Sequence, residues 1–239
     1  MMRLDKFLTA CEVGTRSEVK NIIKKGQITI DGIICKNADY KFNEETCVVC
    51  FQGKELVYKA FQYFMLNKPQ DVVSATQDNH DKTVLDLLKD VRKKDLFPVG
   101  RLDKDTEGLL ILTNDGALAH SLLSPKKHVD KTYFVGLRSP ISEEDITKLE
   151  QGVDIGEEKF TLPAKVVVLD SLHIELTIHE GKFHQVKRML QAVSNEVTLL
   201  KRISFGSLSL DSSLEPGSYR ELTETEIMLL KQDAGLENN

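Results

Sequence analysis

Four consecutive large aliphatic residues, Leu109-Leu110-Ile111-Leu112, constrain the fold of this 239-residue chain more than any other feature. Bounded by Gly108 on one side and Asn114-Asp115-Gly116 on the other, they read as a core strand between two turns. The loop that feeds the strand is Gly100-Arg-Leu-Asp-Lys-Asp-Thr-Glu107, so Arg101, Asp103 and Asp105 lie at the edge of a core. Charged groups held there need partners or a chemical task, which makes Asp103 a candidate catalytic carboxylate.

Several other chemistries fail on spacing. Asp103-x-Asp105-x-Glu107-Gly108 begins like a calcium loop, but the twelfth position, where a bidentate glutamate is required, is Asn114. His179 and His184 are five apart, not the four that align two histidines on one helical turn. The chain has no glycine-rich phosphate loop and no G-x-S-x-G elbow. Cys47 and Cys50 form a C-x-x-C inside a β-branched, strand-like run, where residues three apart face opposite ways. Cys11 and Cys35 are isolated, so the four thiols read as small buried side chains and no metal site is expected.

The order of elements predicts an α+β fold in two parts. Leu4, Phe7, Leu8 and Cys11 have helical spacing over residues 2 to 13. Thr15-Arg-Ser-Glu18 is a capping box, opening a helix that buries Val19, Ile22 and Ile23 and stops at Gly26. Asp31-Gly32 between two alternating apolar runs predicts a hairpin. These elements define a first domain over residues 1–53, with a polar linker at 54–60 and a main domain at 61–232. The main domain begins with a strand that Pro69 ends, followed by an amphipathic helix through Val84, Leu87, Leu88 and Val91, capped by Thr83. Short helices at 115–124, 142–149 and 181–194 alternate irregularly with strands at 134–137, 162–169, 173–179 and 197–200. A last helix is capped by Thr223 and Glu226, and residues 233–239 are expected to fray. Without regular βαβ alternation, the sheet should be mixed and mainly antiparallel, with flanking helices.

A net charge of -5 looks wrong for a nucleic-acid binder, but it is unevenly spread. Residues 1–59 hold 10 Lys/Arg against 8 Asp/Glu, and the remainder 22 against 29. Where the bases cluster matters more than their sum. No apolar run approaches the ~20 residues of a membrane helix, and the first residues lack the apolar core of a secretory signal, so a cytoplasmic protein is expected.

The N-terminal residues Arg3-Leu-Asp-Lys-Phe7, Arg16-Ser-Glu18, Ile23-Lys-Lys-Gly-Gln-Ile28 and Ile30-Asp-Gly32 resemble the S4 RNA-binding domain. The resemblance implies a basic helical face made of Arg3, Lys6, Arg16, Lys20, Lys24 and Lys25 that grips folded RNA through phosphates and shape. Gly100-Arg-Leu-Asp103 with Thr106 and Gly108-Leu-Leu, then Lys131-Thr-Tyr133, then Glu180-Gly-Lys-Phe-His-Gln-Val-Lys-Arg-Met189, resemble the pseudouridine synthases. Phe64-Met-Leu-Asn-Lys-Pro69 and Leu214-Glu-Pro-Gly-Ser-Tyr-Arg-Glu-Leu-Thr223, behind an S4 domain, are similar to the RsuA group within them.

That likeness implies isomerisation of one uridine of 16S ribosomal RNA to pseudouridine, in an assembling small subunit and without metal or organic cofactor. The C1′–N1 bond is cut, the base turns, and C5 is joined to C1′. Asp103 is then the essential carboxylate, acting on carbon as a nucleophile or on the C2′ proton as a base. Lys187 stands where the wider superfamily carries an arginine paired with the aspartate, and Arg188 beside it is a second candidate. Tyr133 is implied to stack on the flipped base, and Arg101 to fill the gap that the base leaves. Lys131 and His184 are the remaining expected RNA contacts. Two departures stand out: Asp71 replaces the glycine of the family's frequent Asn-Lys-Pro-x-Gly, and Lys187 replaces the wider superfamily's arginine, as it does in some relatives. A large-subunit (23S) uridine isomerase and a non-catalytic S4-type assembly factor are the alternative readings, and nothing in the sequence calls for more than a monomer.

Overall fold

The computed structural model describes residues 1–89 and 91–236. Its chain separates into two units, Met1–Ala60 and Phe61–Asn239.

In the first unit, β1 (Met2–Arg3) leads into α1 (Leu4–Ala10), and α2 (Arg16–Lys24) follows. The capping box forms as the sequence predicts: the Glu18 carboxylate accepts the Thr15 N–H at 2.7 Å, and the Thr15 hydroxyl accepts the Glu18 N–H. Next come β2 (Ile28–Ile30), β3 (Ile33–Ile34), β4 (Lys41–Phe42), β5 (Val49–Phe51) and β6 (Lys54–Leu56). Residues 54–56, expected as linker, are therefore a strand, because Val49 pairs with Leu56 and closes the sheet β3-β2-β5-β6. Leu4, Phe7, Leu8, Val19, Ile23, Ile28, Ile30, Phe42 and Val49 form the core. Burying those faces of α1 and α2 leaves Lys6, Arg16, Lys20, Lys24 and Lys25 exposed. Arg3 is exposed too, but it is tied to Asp5 and Asp39. The four cysteines are thiols, each partly buried.

The second unit is built on one long sheet. Its strands are β7 (Tyr63–Lys68), β8 (Phe97–Pro98), β9 (Glu107–Thr113), β10 (Lys131–Leu137), β11 (Lys165–Val168), β12 (His173–Ile178), β13 (Val197–Phe205), β14 (Leu208–Ser209) and β15 (Tyr219–Glu221). The spatial order is β11-β12-β10-β13-β9-β7-β15, with β8 and β14 attached to β9 and β13. All contacts are antiparallel except the central pair β13–β9. Alternation along β7 and β9 feeds two cores, which is why Leu109–Leu112 is apolar throughout. Phe64, Leu66, Leu110 and Leu112 pack with α4 (Glu143–Gln151) and α5 (Gln185–Ala192). Tyr63, Met65, Leu109 and Ile111 face the other way, toward α3 (Gly116–Leu123) and α6 (Glu224–Asp233).

Gly108 makes the parallel pairing possible. Its φ is +101°, and a Cβ there would stand 2.3 Å from the Arg202 carbonyl oxygen. Only glycine fits both the dihedral and the approach of β13.

Three boundaries differ from the sequence reading. The helix expected from Val84 to Val91 is one 3₁₀ turn, Val84–Leu87, because the Lys89 N–H is taken by the Tyr219 hydroxyl at 3.0 Å instead of a helical carbonyl. The helix expected over 181–194 starts at Gln185, since His184 has a left-handed backbone and the Lys182 N–H donates to the Gln185 side chain. Residues 233–236 do not fray: Asp233 accepts the N–H and hydroxyl of Ser207, and Leu236 packs on the core. Residues 237–239 lie outside the described residues. Among the described residues, no helix is long and apolar enough to cross a membrane.

Candidate active site

Asp103 stands in a loop that is clamped before its side chain does anything. The Thr106 N–H donates to the Asp103 carbonyl at 3.1 Å, closing a turn ahead of β9. The Ser74 hydroxyl accepts the Leu102 N–H and donates to the Leu102 carbonyl. Lys68, fully buried at the end of β7, points its Nζ into the same loop. It donates to the carbonyls of Thr106 at 2.8 Å, Pro69 at 3.0 Å and Lys104 at 3.3 Å. Burial pushes the Lys68 pKa down to about 8, while the charges of Asp105, Asp103, Glu107 and Asp71 oppose that fall. The Asn-Lys-Pro stretch thus has a mechanical role, since its lysine ties its own turn at Pro69 to the loop just after Asp103, at Lys104 and Thr106. Asp71, where the resemblance implied a glycine, makes a left-handed turn: its φ is +61°, which aspartate tolerates better than most residues, and its N–H donates to Lys104 O at 2.9 Å.

The cation reaches this loop from α5. Lys187 Nζ lies 3.2 Å from Asp103 Oδ2 and 2.6 Å from Asp105 Oδ1, bridging two carboxylates. Asp103 is about a quarter exposed at its side chain (28%), Asp105 mostly so (67%). Burial alone would lower the Lys187 pKa; the Asp105 bond and the Asp103 charge outweigh it, so the pKa is raised. The bond from Lys187 in turn holds the Asp105 carboxyl below its ordinary value. His184 Nε2 stands 3.6 Å from Asp103 Oδ1.

The loop before α5 is fixed by Glu180, whose Oε1 accepts the Leu162 N–H and the buried Gln185 amide, both at 2.9 Å. The Glu-x₄-Gln of the motif is therefore the brace that aims the helix, and Lys187 is the part aimed. Arg188 faces elsewhere: it donates to Glu157 at 2.8 Å and to the Ile155 carbonyl, and so does not share Asp103. Successive helical positions diverge by about a quarter turn, which separates the two candidates.

A cavity of about 120 Å³ opens beside Asp103. Tyr133, Lys131, Ile178, Val186, Leu200 and Arg202 are among its walls. Tyr133 is only 8% exposed, with its ring in the core. Lys131, expected as an RNA contact, is buried, because its Nζ turns inward to the Val129 carbonyl at 2.8 Å. Arg101 and His184 line the open groove outside, and Phe183 there is exposed and stacks on His184 at 3.8 Å between ring centroids.

Sequence reading missed Lys68, the contact of Asp105 with Lys187, and Arg202. Arg202 had a signal: strand alternation puts it on the same side as Leu200, an arginine at a core position.

A family model for RNA pseudouridylate synthase matches residues 62–192, and one for the S4 domain matches residues 2–46. The chain belongs to the RNA pseudouridylate synthase family, with an S4 domain ahead of the catalytic domain, and it is a pseudouridine synthase. A Bacillus subtilis relative named "Uncharacterized RNA pseudouridine synthase YtzG" is 53% identical over 97% of this chain and 99% of its own length. The Vibrio cholerae protein named "Ribosomal small subunit pseudouridine synthase A" is 43% identical over 95% of this chain and 98% of its own. The Escherichia coli K12 protein of the same name is 42% identical over the same shares. A solved structure described as a pseudouridylate synthase is 40% identical, covers 96% of this chain and all of its own, and superposes with a TM-score of 0.69. The chain therefore carries an S4 domain and a pseudouridine synthase fold with a mixed, mainly antiparallel sheet.

Proposed function

We propose that this enzyme isomerises one uridine of 16S ribosomal RNA, with Asp103 as the reacting carboxylate and Lys187 as its ion partner. One observation carries the chemical part: Asp103 fronts the cavity and Lys187 Nζ sits 3.2 Å from its carboxylate. Either route uses the negative charge of that carboxylate, which the Lys187 ammonium faces directly. As nucleophile it attacks C1′; as base it removes the C2′ proton; in both cases the C1′–N1 bond breaks. Tyr133 stacks on the flipped ring, and Arg101 at the groove mouth meets the strand that the base has left. The exposed Lys6, Arg16, Lys20, Lys24 and Lys25 hold structured RNA through its phosphates. The small-subunit target rests on the names of relatives more than 40% identical along nearly their whole length.

The test is pseudouridine mapping of both large ribosomal RNAs, incubated naked and as assembling subunits. One new site in small-subunit RNA, absent with Asp103→Asn at unchanged RNA affinity, is the expected result. A site in 23S RNA only would move the assignment to the large subunit. No site in any RNA would favour an assembly factor that uses the S4 unit alone.

A further inference from the structure

Two buried cations at the inner wall of the cavity have no part in the chemistry above. Arg202, on β13, is 2% exposed, and among the described residues no carboxylate is ion-paired with it. Its Nε donates to the Leu109 carbonyl at 2.8 Å, and its Nη2 is buried without any partner. Lys131 lies beside it, and the two cations stand over the Phe205 ring at 5.1 and 5.2 Å from the centroid. Each disfavours the other. Burial drives the Arg202 pKa down, with the Tyr133 phenol partly offsetting it. Burial, and then the nearby Arg202 charge, push Lys131 down to about 8. A guanidinium in this position is an unfavourable choice if its only duty is to tie β9 to β13. It is a favourable one if negative charge arrives during the reaction.

The reaction supplies that charge. When C1′–N1 breaks, the bonding pair leaves with the base, and the uracil anion spreads its charge over N1, O2 and O4. The detached ring must then be retained while it turns. Rotation about the N3–C6 axis exchanges N1 with C5 and O2 with O4, so one fixed donor meets a carbonyl oxygen in both orientations. C5 then bonds to C1′, the C5 proton is lost, and N1 gains a proton, so no atom is gained or lost overall.

We propose that Arg202 is a further catalytic residue: its free Nη2 donates to a carbonyl oxygen of the flipped uracil and stabilises the uracil anion, with Lys131 adding to the field. The proposal rests on the reaction assigned above. A donor aimed at charge that exists only during bond cleavage raises the rate more than it tightens binding.

The experiment compares wild type, Arg202→Met and Lys131→Met in single turnovers on the mapped RNA. The target carries uridine or 5-fluorouridine, whose ring leaves more readily because fluorine stabilises its anion. The readout is loss of the N1-linked nucleoside after complete digestion. Arg202→Met should cut the uridine rate by about 10²–10³-fold, as loss of one such donor typically does. It should keep RNA affinity within about threefold, and its defect should shrink by about tenfold or more on 5-fluorouridine. An equal defect on both substrates, or no defect, would overturn the proposal; the first result would leave Arg202 as a tie between strands. If Arg202→Met does not fold, Lys131→Met decides, since it leaves the Leu109 bond intact and should show a smaller defect with the same substrate dependence. Wild type inactive on every RNA would refute the reaction itself, whereas active wild type with unimpaired variants refutes only this role.

Discussion

Replacing Lys187 by methionine removes the cation from Asp103 while keeping the length and packing of the side chain. At 3.2 Å and an effective dielectric of about 20, the pair attracts by roughly 5 kcal/mol. Side-chain exposures of 22% for Lys187 and 28% for Asp103 admit solvent, and desolvation offsets part of that attraction. About 2–3 kcal/mol is left, or roughly 30–150-fold in rate at 1.36 kcal/mol per tenfold. The contact with Asp105 is shorter, but Asp105 is 67% exposed and its charge is better screened. Single-turnover isomerisation is the assay. Lys187→Met is expected to lose rate by that factor. Lys187→Arg should stay within about tenfold of wild type, because a guanidinium keeps the charge and offers a two-pronged contact. A Lys187→Met rate within threefold of wild type would show that the ion pair contributes nothing to the chemistry.

Other expectations concern the frame and the RNA. Gly108→Ala combines a strained φ, costing about 1–2 kcal/mol, with an overlap on the Arg202 carbonyl costing about 1–3 more. Urea unfolding should show a loss of about 3 kcal/mol, and a loss under 1 would mean that β13 shifts freely. Lys68 and Lys131 have folded-state pKa values of about 8, below the unfolded value near 10.4, so between pH 8 and 10 the unfolded chain holds protons that the folded one has released. Stability should therefore rise with pH in that window, by at most about 1.4 kcal/mol per pH unit for each lysine, and Lys68→Met should remove its share. A flat or falling curve in both proteins would contradict the buried-lysine account. Exchanging Arg16 and Lys20 for glutamine should lower the salt slope of RNA binding by roughly 0.7–0.9 per lost phosphate contact; an unchanged slope would remove the S4 face from the interface.

The sequence determined the parts whose causes are local. The capping box of α2 and the Asp31-Gly32 turn need only nearby residues, and both form as written. Likewise the apolar Leu109–Leu112 between two turns read as a strand covered on both faces, and the family resemblance carried by the motifs around Asp103, Tyr133 and Lys187 implied that three separate stretches meet in one site. Boundaries set by distant partners were not legible. The 3₁₀ turn at Val84 goes no further because a hydroxyl 130 residues away claims the Lys89 N–H, and the last helix persists to Asp233 because Ser207 holds it. Tertiary structure also decided which base meets Asp103. Lys187 and Arg188 are neighbours in sequence, yet the pitch of α5 sends one to Asp103 and Asp105 and the other to Glu157. It alone turned Lys131 inward and left Arg202 beside the cavity with no carboxylate and one guanidinium nitrogen without a partner, because burial and the cost of an unmatched charge arise only once β9, β10 and β13 lie side by side.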